Sequence, residues 1–269
     1  MSFCFEDPSI KAPLGRETVL SDLGHLPEAE LAELVWAGDR GVRDILYGSN
    51  GRVYNMTTEA EARHARRERR KRHLQKRLAR QQKGSARRRK TATRISKISE
   101  QQANVRKDFA HKVSHELVNK TDFRVFTFED LKIANMTRRA KPVPGEDGNY
   151  LPNGASAKSG LNHSILGKCW GNILLFTQYK AERADKVAIK VAPHHSSQTC
   201  SQCGHTSAAN RRGKAFQCIQ CGFSSDADFN AAQVLKARGI RYVLDQQWRS
   251  AKARKKVSFR RKSVSGENR

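Results

Sequence analysis

The chain has 269 residues, with 52 Lys and Arg against 26 Asp and Glu, a formal net charge of +26. An excess of that size predicts polyanionic partners, because each cation set against a phosphate releases a condensed counterion. It argues against a membrane span, since no run approaches the roughly 18 apolar residues that one requires; "ILLF" at 173–176 is among the longest aliphatic stretches.

In chain order, residues 1–33 are mixed and polar, too short to fold alone, and "MSFCFEDPSI" has no basic or apolar region of a secretory signal. "LVWAGDRGVRDILYGSNGRVYNM" then reads as a strand meander: an apolar run ending at Asp39, "DILYG", and a hairpin turn at "SNG" into "RVYNM". From Thr58 to about Leu117 the period becomes helical, with Gly84 and Ser85 dividing two arms. Residues 61–90 hold 15 Lys and Arg against Glu61 and Glu68, so half of the net charge lies there. The second arm has an apolar stripe at Ile95, Ile98, Val105, Phe109, Val113 and Leu117, a face to bury. The first arm reads either as a solvated or disordered basic run or as half of a helical hairpin along a nucleic-acid backbone. The second reading is preferred, because the stripe can dock the hairpin. Its phosphate contacts are expected from Arg69, Arg70, Lys71, Arg72, Arg77, Arg87, Arg88 and Arg89.

"FRVFTFEDLKI" is nearly continuous apolar and aromatic, as in a strand buried on both faces, and closes on Glu129 and Asp130. A Gly- and Pro-rich loop follows, then one helix over "LNHSILGKCWGNILLFTQYKAERA", the strand "KVAIKVA", a cysteine cluster, a helix from Asp228 and a basic tail.

Cys200 and Cys203, then Cys218 and Cys221, form two C-x2-C pairs 14 residues apart, with Gly204 and Gly222 where each knuckle must turn. Four thiolates fill a tetrahedral zinc shell and leave no open position, which predicts a structural metal. Zinc thiolates need reducing surroundings, so the expected compartment is cytosolic. Arg211 and Arg212 between the pairs are expected to touch phosphate. Cys4 and Cys169 have no partner pattern, and His194 and His195 are left as loop histidines, since the thiolates complete the shell.

Asp39, Glu129 and Asp228 each sit at an element boundary, far apart in sequence. Acids converging from such positions could hold two Mg²⁺ ions for phosphodiester hydrolysis. Each has a plainer reading. Asp39 could serve a turn before Gly41, Asp130 could replace Glu129, and Asp228 could cap its helix while Asp226 takes its place.

The set "AGDRGV", "FEDLKIANMT", "GLNHSILGKCWGNILLFTQYKAE", "SSQTCSQCGH" and "CGFSSDADFNAA" resembles TnpB, the transposon-associated RNA-guided nuclease related to type V CRISPR effectors. The resemblance spans roughly residues 35–235. It implies an α/β, ribonuclease-H-like (RuvC) core carrying a basic helical-hairpin insertion and an inserted four-cysteine zinc ribbon. The implied boundaries are a short N-terminal remnant (1–34), core (35–193, with the helical insertion at 58–120), ribbon (194–225), last core helix (226–245) and basic tail (246–269). Asp39, Glu129 and Asp228 match the catalytic acids, leaving Asp130 and Asp226 outside the set, and the four cysteines match the zinc ligands. The family implies a guide RNA, target DNA, Mg²⁺-dependent cutting and a prokaryotic, nucleoid-associated setting, with base pairing reading the sequence. Relatives carry a wedge-like barrel with a helical insert before the first catalytic strand, where this chain has about 34 residues. The expected readings are a truncated or split copy, a fragment of a longer frame, or a version in which a separate chain or domain supplies that region. Competing expectations are a non-cutting zinc-ribbon binder and a strand-transfer transposase.

Overall fold

Three apolar segments set the centre of the molecule. In a computed structural model, which describes residues 12–264 and side chains as far as residue 245, they form adjacent parallel strands: β1 (Val35–Asp39), β4 (Val125–Glu129) and β7 (Val187–Val191). The meander that follows β1 adds β2 (Leu46–Gly48) and β3 (Val53–Tyr54), each antiparallel to its neighbour. The resulting order is β3-β2-β1-β4-β7. With three parallel strands and an antiparallel meander at one edge, this is the ribonuclease-H-like arrangement of a RuvC core.

Both faces of the sheet are covered, which is why its parallel strands read as almost unbroken apolar runs. Side chains alternate between the faces. Trp36, Phe126, Phe128 and Ala188 point to one side, where they meet α4 (Ala86–Asn119), α6 (Ala155–Gly167) and α7 (Trp170–Arg183) through Ala110, Val113, Leu117, Ile165, Trp170 and Ile173. Val35, Ala37, Val125, Val187, Ile189 and Val191 point to the other. There they bury α1 (Arg16–Gly24), α2 (Glu28–Leu34) and α8 (Ala227–Val264) through Val19, Leu23, Leu31, Leu235 and Val243. The polar segment before β1 is therefore held by α8 and the sheet rather than by a core of its own.

The long basic region folds as α3 (Thr58–Arg80) and α4, with Thr57 and Ser85 capping their first turns through hydrogen bonds from the Ala60 and Arg88 amides. The α4 stripe buries Ile98, Val113 and Leu117 and half-buries Ile95, Val105 and Phe109. Only Leu74 of α3 is buried, and polar contacts supplement the seam: Gln102 accepts from Lys71 and donates to Glu68.

The apolar strand closes at Glu129 as expected, and the short α5 (Ile133–Met136) follows. Three segments differ from expectation. The Gly- and Pro-rich loop contains a small hairpin of β5 (Val143–Pro144) and β6 (Tyr150–Leu151). The expected single helix is two, because Cys169 takes a left-handed φ of 50° between α6 and α7. The region expected as a basic tail continues α8 through Val264, while Cys4 lies outside the described residues. Among the described residues no helix is long and apolar enough to cross a membrane.

Candidate metal centres at the strand ends and in the cysteine ribbon

Period-2 alternation decides which acids share a face. Along β1, Val35 and Ala37 face α8, so Asp39 does too; along β4, Val125 and Thr127 face α8, so Glu129 does too. The register pairs Gly38 with Phe128, and the next step brings Asp39 alongside Glu129, about 4.8 Å away across neighbouring strands. Asp130 lies beyond the strand end, half-exposed, 4.0 Å from Lys190.

The third acid comes from the start of α8. Asp226, at the end of β10 (Ser224–Asp226), caps the helix: its Oδ1 accepts from the Asp228 amide at 2.9 Å and the Phe229 amide at 3.1 Å. Asp228 is thereby relieved of capping. Its Oδ1 instead accepts from Arg211 Nη2 at 3.0 Å.

Electrostatics tie the three together. Burial, followed by the charges of Glu129 and Asp228, pushes the Asp39 carboxyl up to about 7, against the pull of Arg211 and Arg40. Burial also pushes Glu129 up, opposed by Arg40, by a hydrogen bond from Ser196 and by Arg238. The buried Arg40 donates to the Glu129 carbonyl, leaving its Nε without a partner. Ser196 Oγ donates to Glu129 Oε1 at 3.1 Å. The partly buried Asp39 carboxyl thus carries the charges of the buried Glu129 and of Asp228 on top of its own desolvation. A hard divalent cation suits such a donor set.

Between β7 and α8 lies the cysteine segment, with a three-stranded sheet of β8 (Arg211–Arg212), β9 (Ala215–Gln217) and β10 around the buried Phe216. The Gly204 and Gly222 amides donate back to the Cys200 and Cys218 carbonyls at 2.9 and 3.0 Å, and both glycines take a φ of 75°. These turns gather all four sulfurs within 4.8 Å of one another. The Cys200–Cys221 and Cys203–Cys218 sulfurs are 3.7 and 3.6 Å apart, close to the edge of about 3.8 Å that a tetrahedral shell with Zn–S near 2.3 Å requires. The Cys221 amide, joined by that of Gln220 and opposed by burial, pulls the Cys218 thiol down to about 6. The cluster could hold zinc.

Two segments of the chain match known families. Residues 22–140 match the family described as a probable transposase (OrfB_IS605), and residues 170–235 match the Cas12f1-like TNB domain. The putative RNA-guided DNA endonuclease InsQ of Escherichia coli K12 is 32% identical over 202 residues, 75% of this chain and 48% of InsQ. The chain is similar to the TnpB-like proteins. The first matched segment holds Asp39 and Glu129; the second holds the four cysteines and Asp228. The CRISPR-associated endodeoxyribonuclease Cas12f1 of Sulfoacidibacillus thermotolerans is 42% identical over 67 residues, 24% of this chain and 16% of that protein. A Cas12f1–sgRNA–target DNA complex superimposes with a TM-score of 0.49 at 19% identity, covering 75% of this chain and 49% of that one. The chain spans about half the length of InsQ, and less of Cas12f1.

The cations expected at phosphate divide into two groups. Arg69, Arg70, Arg72, Arg77, Arg87, Arg89 and Arg212 are exposed. Lys71 and Arg88 instead serve the hairpin, Lys71 at Gln102 and Arg88 at the Leu78 and Gln81 carbonyls. Arg211 points at Asp228 rather than outward. Sequence reasoning missed Arg40, Ser196 and Arg238, which surround Glu129. Apart from the position of Arg40 directly after Asp39, nothing local marks them, since Ser196 and Arg238 reach Glu129 from distant segments.

Proposed function

We propose that this chain is the nuclease core of a transposon-derived, RNA-guided DNA endonuclease that hydrolyses phosphodiester bonds at Asp39, Glu129 and Asp228. The observation that carries the reading is the set of carboxylates gathered on the α8 face of the sheet, with Asp39 pushed up to about 7 by burial and by the other two. A repulsive acid cluster is costly to keep and is relieved by bound cations. Mg²⁺, most simply as a pair, would be held by these three acids, would lower the pKa of the attacking water and would stabilise the leaving oxygen. Glu129 is held at its backbone by Arg40 and at its carboxylate by Ser196, and Arg211 keeps Asp228 ion-paired until a competing cation arrives. The cysteine ribbon is read as a structural zinc site. The exposed arginines of α3 and α4 are read as holding guide RNA and target DNA by their backbones, with base pairing supplying sequence recognition.

The test is to express the chain with its native flanking DNA, purify it and sequence the RNA that accompanies it. One discrete structured RNA extending past the element, together with Mg²⁺-dependent cutting of matched DNA, supports the reading. Glu129→Ala should then bind as before and cut nothing. Heterogeneous RNA with no cutting would make the chain a non-cutting nucleic-acid binder, whereas joined rather than cut DNA would make it a strand-transfer enzyme.

A further inference from the structure

Asn230 lies two residues beyond Asp228 on α8 and is wholly buried. Asparagine is a middling helix former, and a buried carboxamide is costly unless both its ends are used. Here both are. Oδ1 accepts from the Ser201 amide at 3.0 Å, and Nδ2 donates to the Thr199 carbonyl at 2.8 Å. The side chain therefore brackets Cys200, the first cysteine, on both backbone sides. Neither an aspartate nor a serine could make both hydrogen bonds, because the first lacks the donor and the second the reach.

The same stretch of chain leads back to the acids. Arg238, two turns further along α8, donates to the Ala192 and His194 carbonyls at 2.6 and 2.7 Å. Between these anchors stands Ser196, whose hydroxyl holds Glu129. On another side of α8, Gln233 donates to the Ser49 carbonyl at 2.7 Å, and Phe229 meets the edge of Tyr47. The rotation of α8 about its axis, which sets the direction of Asp228, is thus clamped between sheet and ribbon.

We infer that Asn230 is a positioning residue that seats the first cysteine knuckle on α8 and so registers the thiolate site against the carboxylate cluster. The inference rests on reading that cluster as a divalent-metal site. It makes the ribbon part of the mechanism that aims Asp228 and Glu129, beyond any contact it makes with nucleic acid.

The experiment uses the full zinc-loaded chain and Asn230→Ala, with three readouts: zinc content, backbone amide exchange, and calorimetric titration with Mn²⁺ alone. Zinc should remain at one per chain, because all four thiolates are intact. Amides at 199–204 should exchange at least tenfold faster, while those at 218–222 keep their wild-type rates. Mn²⁺ affinity should fall about tenfold, as when a residue orienting metal ligands is removed. If Asn230→Ala does not fold, Asn230→Ser keeps a polar group in the slot and is read in the same way. Unchanged Mn²⁺ affinity alongside faster exchange at 199–204 would overturn the coupling. Loss of zinc with both knuckles equally loosened would reduce Asn230 to a part of the ribbon fold. A wild-type chain that binds no Mn²⁺ would overturn the carboxylate reading and the coupling with it, and the exchange data would still decide whether Asn230 seats the knuckle.

Discussion

Removing a candidate metal ligand should make the metal-free protein more stable. Folding raises the Asp39 carboxyl from 3.8 to about 7, roughly 3 units at about 1.4 kcal/mol each. The unfolded chain ionises this group near pH 4, whereas the folded protein holds it protonated until about pH 7. The penalty is therefore absent below pH 4, grows between 4 and 7, and is complete above 7 at about 4 kcal/mol. Asparagine has nearly the same shape and cannot ionise, so Asp39→Asn should gain stability over wild type as pH rises. With water and side-chain relaxation, a gain of about 2–4 kcal/mol at pH 8 is expected, about 5–10 °C in Tm for a chain of this size. The assay is calorimetry at pH 5 and pH 8 on protein dialysed free of magnesium without chelator, so that the thiolate site is not stripped. Adding Mg²⁺ at pH 8 should then stabilise wild type and narrow the gap. A gain equal at the two pH values, or a variant less stable than wild type at pH 8, would refute the claim that burial, reinforced by the neighbouring acids, burdens an ionised Asp39.

Gly239 of α8 lies against β4, and a Cβ there would come within 2.2 Å of Thr127 Oγ1. Gly239→Ala should thus cost about 1–3 kcal/mol by overpacking, where helix propensity alone predicts a gain of about 1 kcal/mol; the sign of the shift in urea midpoint decides. Replacing Arg69, Arg70, Arg72 and Arg77 together by glutamine should leave the melting temperature nearly unchanged, since all four are exposed. It should flatten the salt dependence of nucleic-acid binding by about 0.7–0.9 in log–log slope for each phosphate left without its arginine, and an unchanged slope would take α3 off the backbone. Cys203→Ser leaves three thiolates, so zinc content after dialysis should fall while far-UV circular dichroism keeps the helical signal of α4, α7 and α8. Full zinc retention would mean that the four sulfurs do not share one ion.

What could be read from the sequence follows the range over which each signal acts. The meander after Asp39, the two helical arms and the paired cysteines are local patterns, and each element stands where its pattern placed it. The break at Cys169 was not legible, because a non-glycine residue at φ 50° has no composition to announce it. The two ambiguous acid pairs had different causes. Glu129 and Asp130 differ by one residue, and such a step moves a side chain to the opposite face; which face holds the acids depends on where α8 packs, about a hundred residues later. Asp226 and Asp228 could both have capped a helix, and only the path of β10 into α8 gives the cap to Asp226. Arg211 shows the same limit from the other side. Its basic surroundings suggested phosphate, yet the ribbon folds back so that its guanidinium meets Asp228. Residue type and spacing thus indicate which chemistry is available. Sheet register, set by the pairing of β1, β4 and β7, and the rotation of α8, which bonds to both the sheet edge and the ribbon, select the residues that can perform it.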